Sequence, residues 1–245
     1  MKKILLLIGI FILHTNLMKA QDLQTDSFET SKGELKINFI KHSSLFFEFD
    51  NKVIHIDPVS GMGTYEKYPK ADLILITHQH SDHFDLNAIR LLMKKVTKIV
   101  FTQKCHEMTE DLSNVIVIKN GDVLNINQLE IEAVPAYNIL HKRENGVQFH
   151  PKGEGNGYII KFGDKTIYIA GDTENIPEMK TLVNIDIAFL PMNLPYTMTP
   201  EMVADAAKTF QPKILYPYHY GETDTSKLID LLKNNEDIEV RIKKM

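Results

Sequence analysis

The chain has 245 residues, a formal net charge of −4 and a hydrophobic content of 43%. That length allows one large or two small domains with a sizeable core, and the composition is that of a globular protein. The mild negative charge leaves no basic footprint, which excludes nucleic acid as a non-specific partner.

Lys2 and Lys3 precede the apolar block from Ile4 to Leu13, and the polar segment after it ends in Lys19-Ala20-Gln21. This reads as a signal peptide over residues 1–20 with a cut after Ala20, leaving 21–245 as the mature domain. The apolar block is too short for a standard membrane span. Met18, three residues before the cut, also fits an uncleaved N-terminal anchor. The expectation is an exported, periplasmic protein with no stable membrane span once the signal is removed. Cys105 is the single cysteine, so no intramolecular disulfide can form and the fold rests on its core. Cys105 adjoins His106, but neighbouring helical residues point in different directions. It reads as a part-buried thiol.

Leu45 to Asp57 reads as a hairpin with Asp50-Asn51 in the turn. His42 and His55, near or on these strands, read first as strand histidines with local hydrogen bonds. The run Leu73-Ile74-Leu75-Ile76 is short, β-branched and bounded by polar residues, which suits a buried strand. It leads directly into Thr77-His78-Gln79-His80-Ser81-Asp82-His83. In extended chain, His78 and His80 point to the same side. Asp82 and His83 follow at the turn into a helix expected over Leu86 to Lys95, facing a second point nearby. Imidazoles suit Zn, Fe or Mn, and a carboxylate can help hold a second ion.

The same pattern is then written again. Gly157 to Asp172 reads as a hairpin ending in an aspartate, Asp186 to Leu190 as a buried strand, and Pro200 to Phe210 as a helix. Thr199 suits the N-cap and Pro200 the first turn. Lys98 to Thr102 and Lys213 to Pro217 return each half to a strand. Two such halves would pack their sheets face to face with helices outside, a four-layer αββα sandwich with its site at the seam. Strand ends of the second half should then face the first cluster. That picks out Asp172, after Gly171, and His219, after Pro217-Tyr218.

These residues carry a resemblance. His78, His80, Asp82 and His83 match the HxHxDH signature of the metallo-β-lactamase superfamily. Within it the chain is similar to the branch holding ascorbate-6-phosphate lactonase and N-acyl-phosphatidylethanolamine phospholipase D. The supporting motifs are Ile56-Asp57-Pro58, Tyr168 to Thr173, Leu190-Pro191-Met192, Met198-Thr199-Pro200 and Pro217-Tyr218-His219. The resemblance implies a two-metal site with Asp172 bridging and His219 completing the second ion's shell. Related sequences place a histidine two residues after a Pro-Ala pair, where this chain has Asn138. His141 and His150 lie downstream, and the family's Phe-His-Pro-Lys-Gly pattern favours His150.

On that resemblance His78, His80 and His150 hold one divalent ion, and Asp82, His83 and His219 the other. The ions are zinc, with manganese or iron accepted by the same donors. A hydroxide shared by the ions would cleave an ester, lactone or phosphodiester of a small-molecule substrate, with Asp82 and Asp172 as the catalytic carboxylates. Asp57 is the stronger candidate to support a ligand from behind, with His42 second. Rim contacts are expected from Lys142, Arg143, Lys152, Tyr196 and Tyr220. Two alternatives stand beside this reading: a mononuclear iron oxygenase on a thiol-derived substrate, and a non-catalytic metal-dependent binding protein.

Overall fold

The computed structural model describes residues 23–109 and 111–245. The expected signal peptide lies outside the described residues. Fourteen strands among them form two seven-stranded sheets, each laid out in chain order. The first holds β1 (Gln24–Thr30), β2 (Gly33–Lys41), β3 (Ser44–Phe49), β4 (Lys52–Ile56), β5 (Leu73–Leu75), β6 (Lys98–Phe101) and β7 (Val115–Val117). The second holds β8 (Val123–Ile126), β9 (Leu129–Ala136), β10 (Gly155–Phe162), β11 (Lys165–Ile169), β12 (Ile187–Pro191), β13 (Ile214–Tyr218) and β14 (Glu239–Val240). In both, the first four strands run antiparallel and the last four parallel.

The two-residue turn at Asp50-Asn51 has both residues at positive φ, 47° and 56°, the primed geometry that matches strand twist. Between the sheets Leu35, Ile37 and Phe47 meet Phe162, Phe189 and Tyr216, all fully buried or nearly so. Removing one such aromatic would cost about 3–5 kcal/mol. On the outer faces, α1 (Leu86–Leu92) and α2 (Gln103–Glu107) cover the first sheet, and α3 (Pro200–Phe210) and α4 (Thr225–Leu232) the second. The expected αββα sandwich of two similar halves is the fold observed. Among the described residues no helix is long and apolar enough to cross a membrane.

Helix ends follow local chemistry. Asp85 caps α1 by accepting the Asn87 N–H at 2.7 Å, and Thr199 caps α3 with Pro200 next. The first helix stops at Leu92, short of the expected Lys95. Met93 turns extended, and the Lys94 N–H is taken by Thr97 Oγ1 at 2.7 Å, which feeds the chain into β6.

The repeat is tighter than sequence suggests at one point and looser at another. The N–H of Val53 donates to Asp72 at 3.0 Å and that of Thr166 to Asp186 at 2.8 Å, a matching clasp in each half. Ile54 pairs with Leu73 and Ile167 with Ile187, which sets the two halves in register. In that register Asp57 corresponds to Ala170, not to Asp172. The second half continues two residues further before its aspartate, through Gly171 at φ 66°. A side chain there would approach Asn156 O to 2.8 Å, so glycine is what lets Asp172 reach the seam.

Candidate metal centre

Four loops bring the expected residues together. The segment after β5 supplies His78, His80, Asp82 and His83, tightened by N–H donation from His83 and Phe84 to His80 O at 2.9 and 2.8 Å. The loop between β9 and β10 supplies His150, the end of β11 Asp172, and the end of β13 His219. Donor atoms of His78, His80 and His150 form one group, and those of His42, Asp82, His83 and His219 another, each within 4.8 Å.

The Asp172 carboxylate stands between the groups. Its oxygens lie 3.2 Å from His150 Nε2 and 3.9 Å from His78 Nε2 on one side. On the other they lie 3.4 Å from both His83 Nε2 and His219 Nε2. Asp82 Oδ2 lies 3.5 Å from His219 Nε2 and 3.2 Å from His42 Nε2. His141 is elsewhere, with Nδ1 2.8 Å from Glu174.

Behind the donors is a set of orienting contacts. Asp57 accepts the Thr77 N–H at 2.8 Å and the Thr77 hydroxyl at 2.7 Å, and lies 2.8 Å from His83 Nδ1. It thereby turns His83 Nε2 to the cluster. Asn138 Oδ1 accepts the His150 N–H at 2.8 Å and sits 2.6 Å from His150 Nδ1, turning that Nε2 towards Asp172. Asn138 Nδ2 is spent on Glu174 at 3.1 Å and Tyr196 O at 2.9 Å.

His42 is the residue the sequence undervalued. It sits in the β2–β3 turn at φ 61°, packs against the His219 ring at a 42° tilt with centroids 3.6 Å apart, and accepts the His219 N–H on its carbonyl at 3.0 Å. In the repeat this turn corresponds to the β9–β10 loop that carries His150, which was the available signal. His55 behaves as a local core histidine: Nε2 lies 3.0 Å from Pro69 O and the ring stacks on Phe46. Asp57 and His219 share the left-handed backbone of His42, at φ 41° and 50°.

Burial and mutual charge set the electrostatics. His78 lies well below the usual histidine range, through burial and then the neighbouring His83. His80 is lowered to about 4 by burial and then His150. Burial disfavours charge on His83, yet Asp172 and Asp57 outweigh it and hold its pKa well above ordinary. Burial likewise opposes ionisation of Asp172, and His219 with His83 overrides it and drives its pKa well down. Asp82 is lowered too, its burial overcome by His219 and His42.

Three buried atoms aimed into the seam, His83 Nε2, Asp172 Oδ1 and His219 Nε2, have no hydrogen-bond partner among the described residues. Such atoms are costly unless something else satisfies them. Mixed imidazole and carboxylate donors in two adjoining groups fit divalent cations. The cluster floors a cavity of about 370 Å³ whose walls include Arg143, Phe149, Asn193 and Tyr196. Of the other expected rim residues, Lys152 pairs with Glu178 at 2.7 Å and the Tyr220 hydroxyl bonds to the Lys243 carbonyl. A second cavity of about 360 Å³, beside Gly63 and Tyr68, is lined by no histidine, aspartate, glutamate or cysteine.

Comparison with known proteins finds relatives in sequence and in fold. A family profile described as a Beta-lactamase superfamily domain matches residues 36–219. A metal-dependent hydrolase of Nanoarchaeum equitans is 33% identical over 191 residues, 76% of this chain and 84% of that protein. A crystal structure from Parabacteroides distasonis, described as that of a metal-dependent hydrolase, is 50% identical with a TM-score of 0.85, covering 91% of this chain and 99% of that one. Igni18, a metallo hydrolase of Ignicoccus hospitalis, is 26% identical with a TM-score of 0.71, covering 86% and 95%.

Proposed function

The chain belongs to the metallo-β-lactamase superfamily, and on that premise we propose that it is a metal-dependent hydrolase of small esters, lactones or phosphodiesters with two divalent ions at the seam. The observation that carries this reading is the Asp172 carboxylate between two groups of imidazoles, within 4 Å of four ring nitrogens. In it His78, His80 and His150 would hold one ion and Asp82, His83 and His219 the other, with Asp172 available to both. Zinc is the first choice on donor chemistry, with manganese and iron accepted. When bound, two such ions supply an acidified water, its pKa lowered from about 16 towards 7, and they offset negative charge on the reacting oxygen.

The chain's own residues do the rest. Asp57 and Asn138 fix which nitrogen of His83 and His150 faces the seam. Asp172, kept ionised among the histidines, would accept a hydrogen bond from a water held beside it and so help to orient it. Asp82, on the cavity side of the cluster, orients the same water. Phe149 and Tyr196, edge to face at 5.0 Å, form an aromatic wall of the cavity. A mononuclear oxygenase would leave the Asp82, His83 and His219 group without a task, which weighs against that alternative. Export to the periplasm is proposed from residues 1–20 alone.

The test is metal analysis with hydrolysis assays. Purified protein should carry close to two divalent ions per chain, cleave generic esters or phosphodiesters, and lose turnover on chelation. Protein replete with metal that cleaves neither bond type would overturn the reading.

A further inference from the structure

At the mouth of the cavity Arg143 and His80 face each other with nothing between them that either can bond. Arg143 Nη2 and His80 Nε2 are 3.5 Å apart. The other His80 nitrogen, Nδ1, is turned inward, 3.1 Å from His78 Nε2 and within the first donor group. If Nδ1 gives its lone pair to an ion, the ring proton must reside on Nε2. A guanidinium also offers donors only. Both groups reach solvent, and two donors this close are best bridged by one shared acceptor, a negatively charged one above all.

The surroundings leave that acceptor's place open. Among the described residues no carboxylate lies within ion-pair reach of Arg143. Its remaining contacts are the Phe149 carbonyl at 3.5 Å and the Phe149 ring, 5.2 Å from the guanidinium carbon. The Arg143 backbone is pinned by N–H donation to Val147 O at 2.7 Å, beside the Lys142–Gln148 bridge. A fixed backbone beneath an exposed side chain delivers the guanidinium to one place while leaving it free to choose its acceptor.

We propose that Arg143 Nη2 and His80 Nε2 together form the recognition site for an anionic oxy-acid group of the substrate, a carboxylate or a phosphate. This rests on the metal site within the hydrolase reading, not on hydrolysis itself, because an ion on His80 Nδ1 is what turns its proton outward. The substrate is then an ester, lactone or phosphodiester carrying a separate anionic group a few bonds from the bond that breaks. Asp172 and His219 line the same cavity, so both ends of such a molecule fit within it.

The test has two arms, each on metal-loaded full-length protein with metal content measured. In the first, inorganic phosphate and succinate are titrated calorimetrically into the wild type, Arg143→Gln and Arg143→Lys. Arg143→Gln should weaken one or both anions about tenfold, and Arg143→Lys should recover part of that, a point charge replacing a planar fork. Loss confined to phosphate or to succinate identifies which oxy-acid the site takes. Equal affinity of wild type and Arg143→Gln for both anions overturns the proposal.

In the second arm, p-nitrophenyl acetate is compared with mono-p-nitrophenyl succinate. Arg143→Gln should lower kcat/KM at least tenfold more for the charged ester than for the neutral one. Equal losses overturn the recognition site and leave the hydrolase reading standing. If the wild type cleaves neither ester while Arg143→Gln still weakens the anions, the hydrolase reading fails and the recognition site stands.

Discussion

Asn138 Oδ1 meets His150 at two points, accepting the backbone N–H at 2.8 Å and lying 2.6 Å from ring Nδ1. The amide oxygen can only accept, so the network assigns the ring proton to Nδ1 and frees Nε2 as a donor of electrons towards Asp172. Asparagine here is a bracket for a histidine twelve residues on.

Asn138→Ala should therefore lower metal affinity by roughly 10- to 100-fold, the usual cost of losing a ligand's orienting partner. Asn138→Asp still accepts from Nδ1 but sets its second oxygen against Glu174 and the Tyr196 carbonyl, so it should recover only part of it. Equilibrium dialysis against a metal indicator measures both. Equal affinity of Asn138→Ala and wild type would remove the bracket from the account.

His150→Ala should cost bound metal and hydrolysis together, because two imidazoles hold an ion less well than three. His141→Ala should leave both nearly intact, since that ring lies against Glu174, away from both donor groups. Metal stoichiometry and turnover on the two variants separate them. A dead His141→Ala beside an active His150→Ala would reverse the assignment.

Asp172→Asn removes the charge that four ring nitrogens face. Bound ions should fall well below two per chain, and turnover by ~100-fold or more, as both donor groups lose their shared anion. Metal analysis on the folded variant checks the first point. Full occupancy would show that Asp172 is not shared.

His55 gives a pH signature unconnected with metal. Burial lowers its pKa to about 4, against 6.5 for an ordinary histidine, with the Pro69 carbonyl only partly opposing. The unfolded chain takes up the proton first, so this contribution is complete above pH 6.5. It is lost as pH falls from 6.5 to about 4, and amounts to ~3 kcal/mol. Urea unfolding of metal-free wild type and His55→Gln should show their stability gap shrinking by about that much across this window. A constant gap would contradict it.

Much of this was legible before any coordinates. The β3–β4 and β10–β11 hairpins, β5, β12 and the helix with Thr199-Pro200 at its start all carry periodicity or capping signals of their own. β1, with its polar Gln24-Thr25-Asp26-Ser27, and the half-exposed β8 do not, because edge strands show water on both faces. β7 and β14 are only three and two residues long. The site divides in the same way. His78 to His83 are neighbours in sequence, whereas His42 joins them only because closing the sandwich brings a turn of the first half onto the end of β13. The offset between Asp57 and Asp172 was hidden for a related reason: two extra residues, Ala170 and Gly171, look like strand in sequence and are settled by pairing register alone.

Cys105 should be chemically silent in the native state. It is fully buried, and burial pushes the thiol up to about 11. Since the thiolate is the reactive form, a disulfide exchange reagent at pH 8 should leave folded protein unlabelled and label it promptly in denaturant. Rapid native labelling would mean that α2 opens.

His42, Asp57 and His219 all hold a left-handed backbone that suits glycine better than any side chain. Each costs the fold on the order of 1 kcal/mol. Glycine would relieve that strain at His42 and His219 while losing the His42–Asp82 and His219–Asp172 contacts, whereas at Asp57 it would also strand the buried Thr77 N–H and hydroxyl. Endurance and chemistry thus pull His42 and His219 in opposite directions, and a screen on this scaffold must select for both at once.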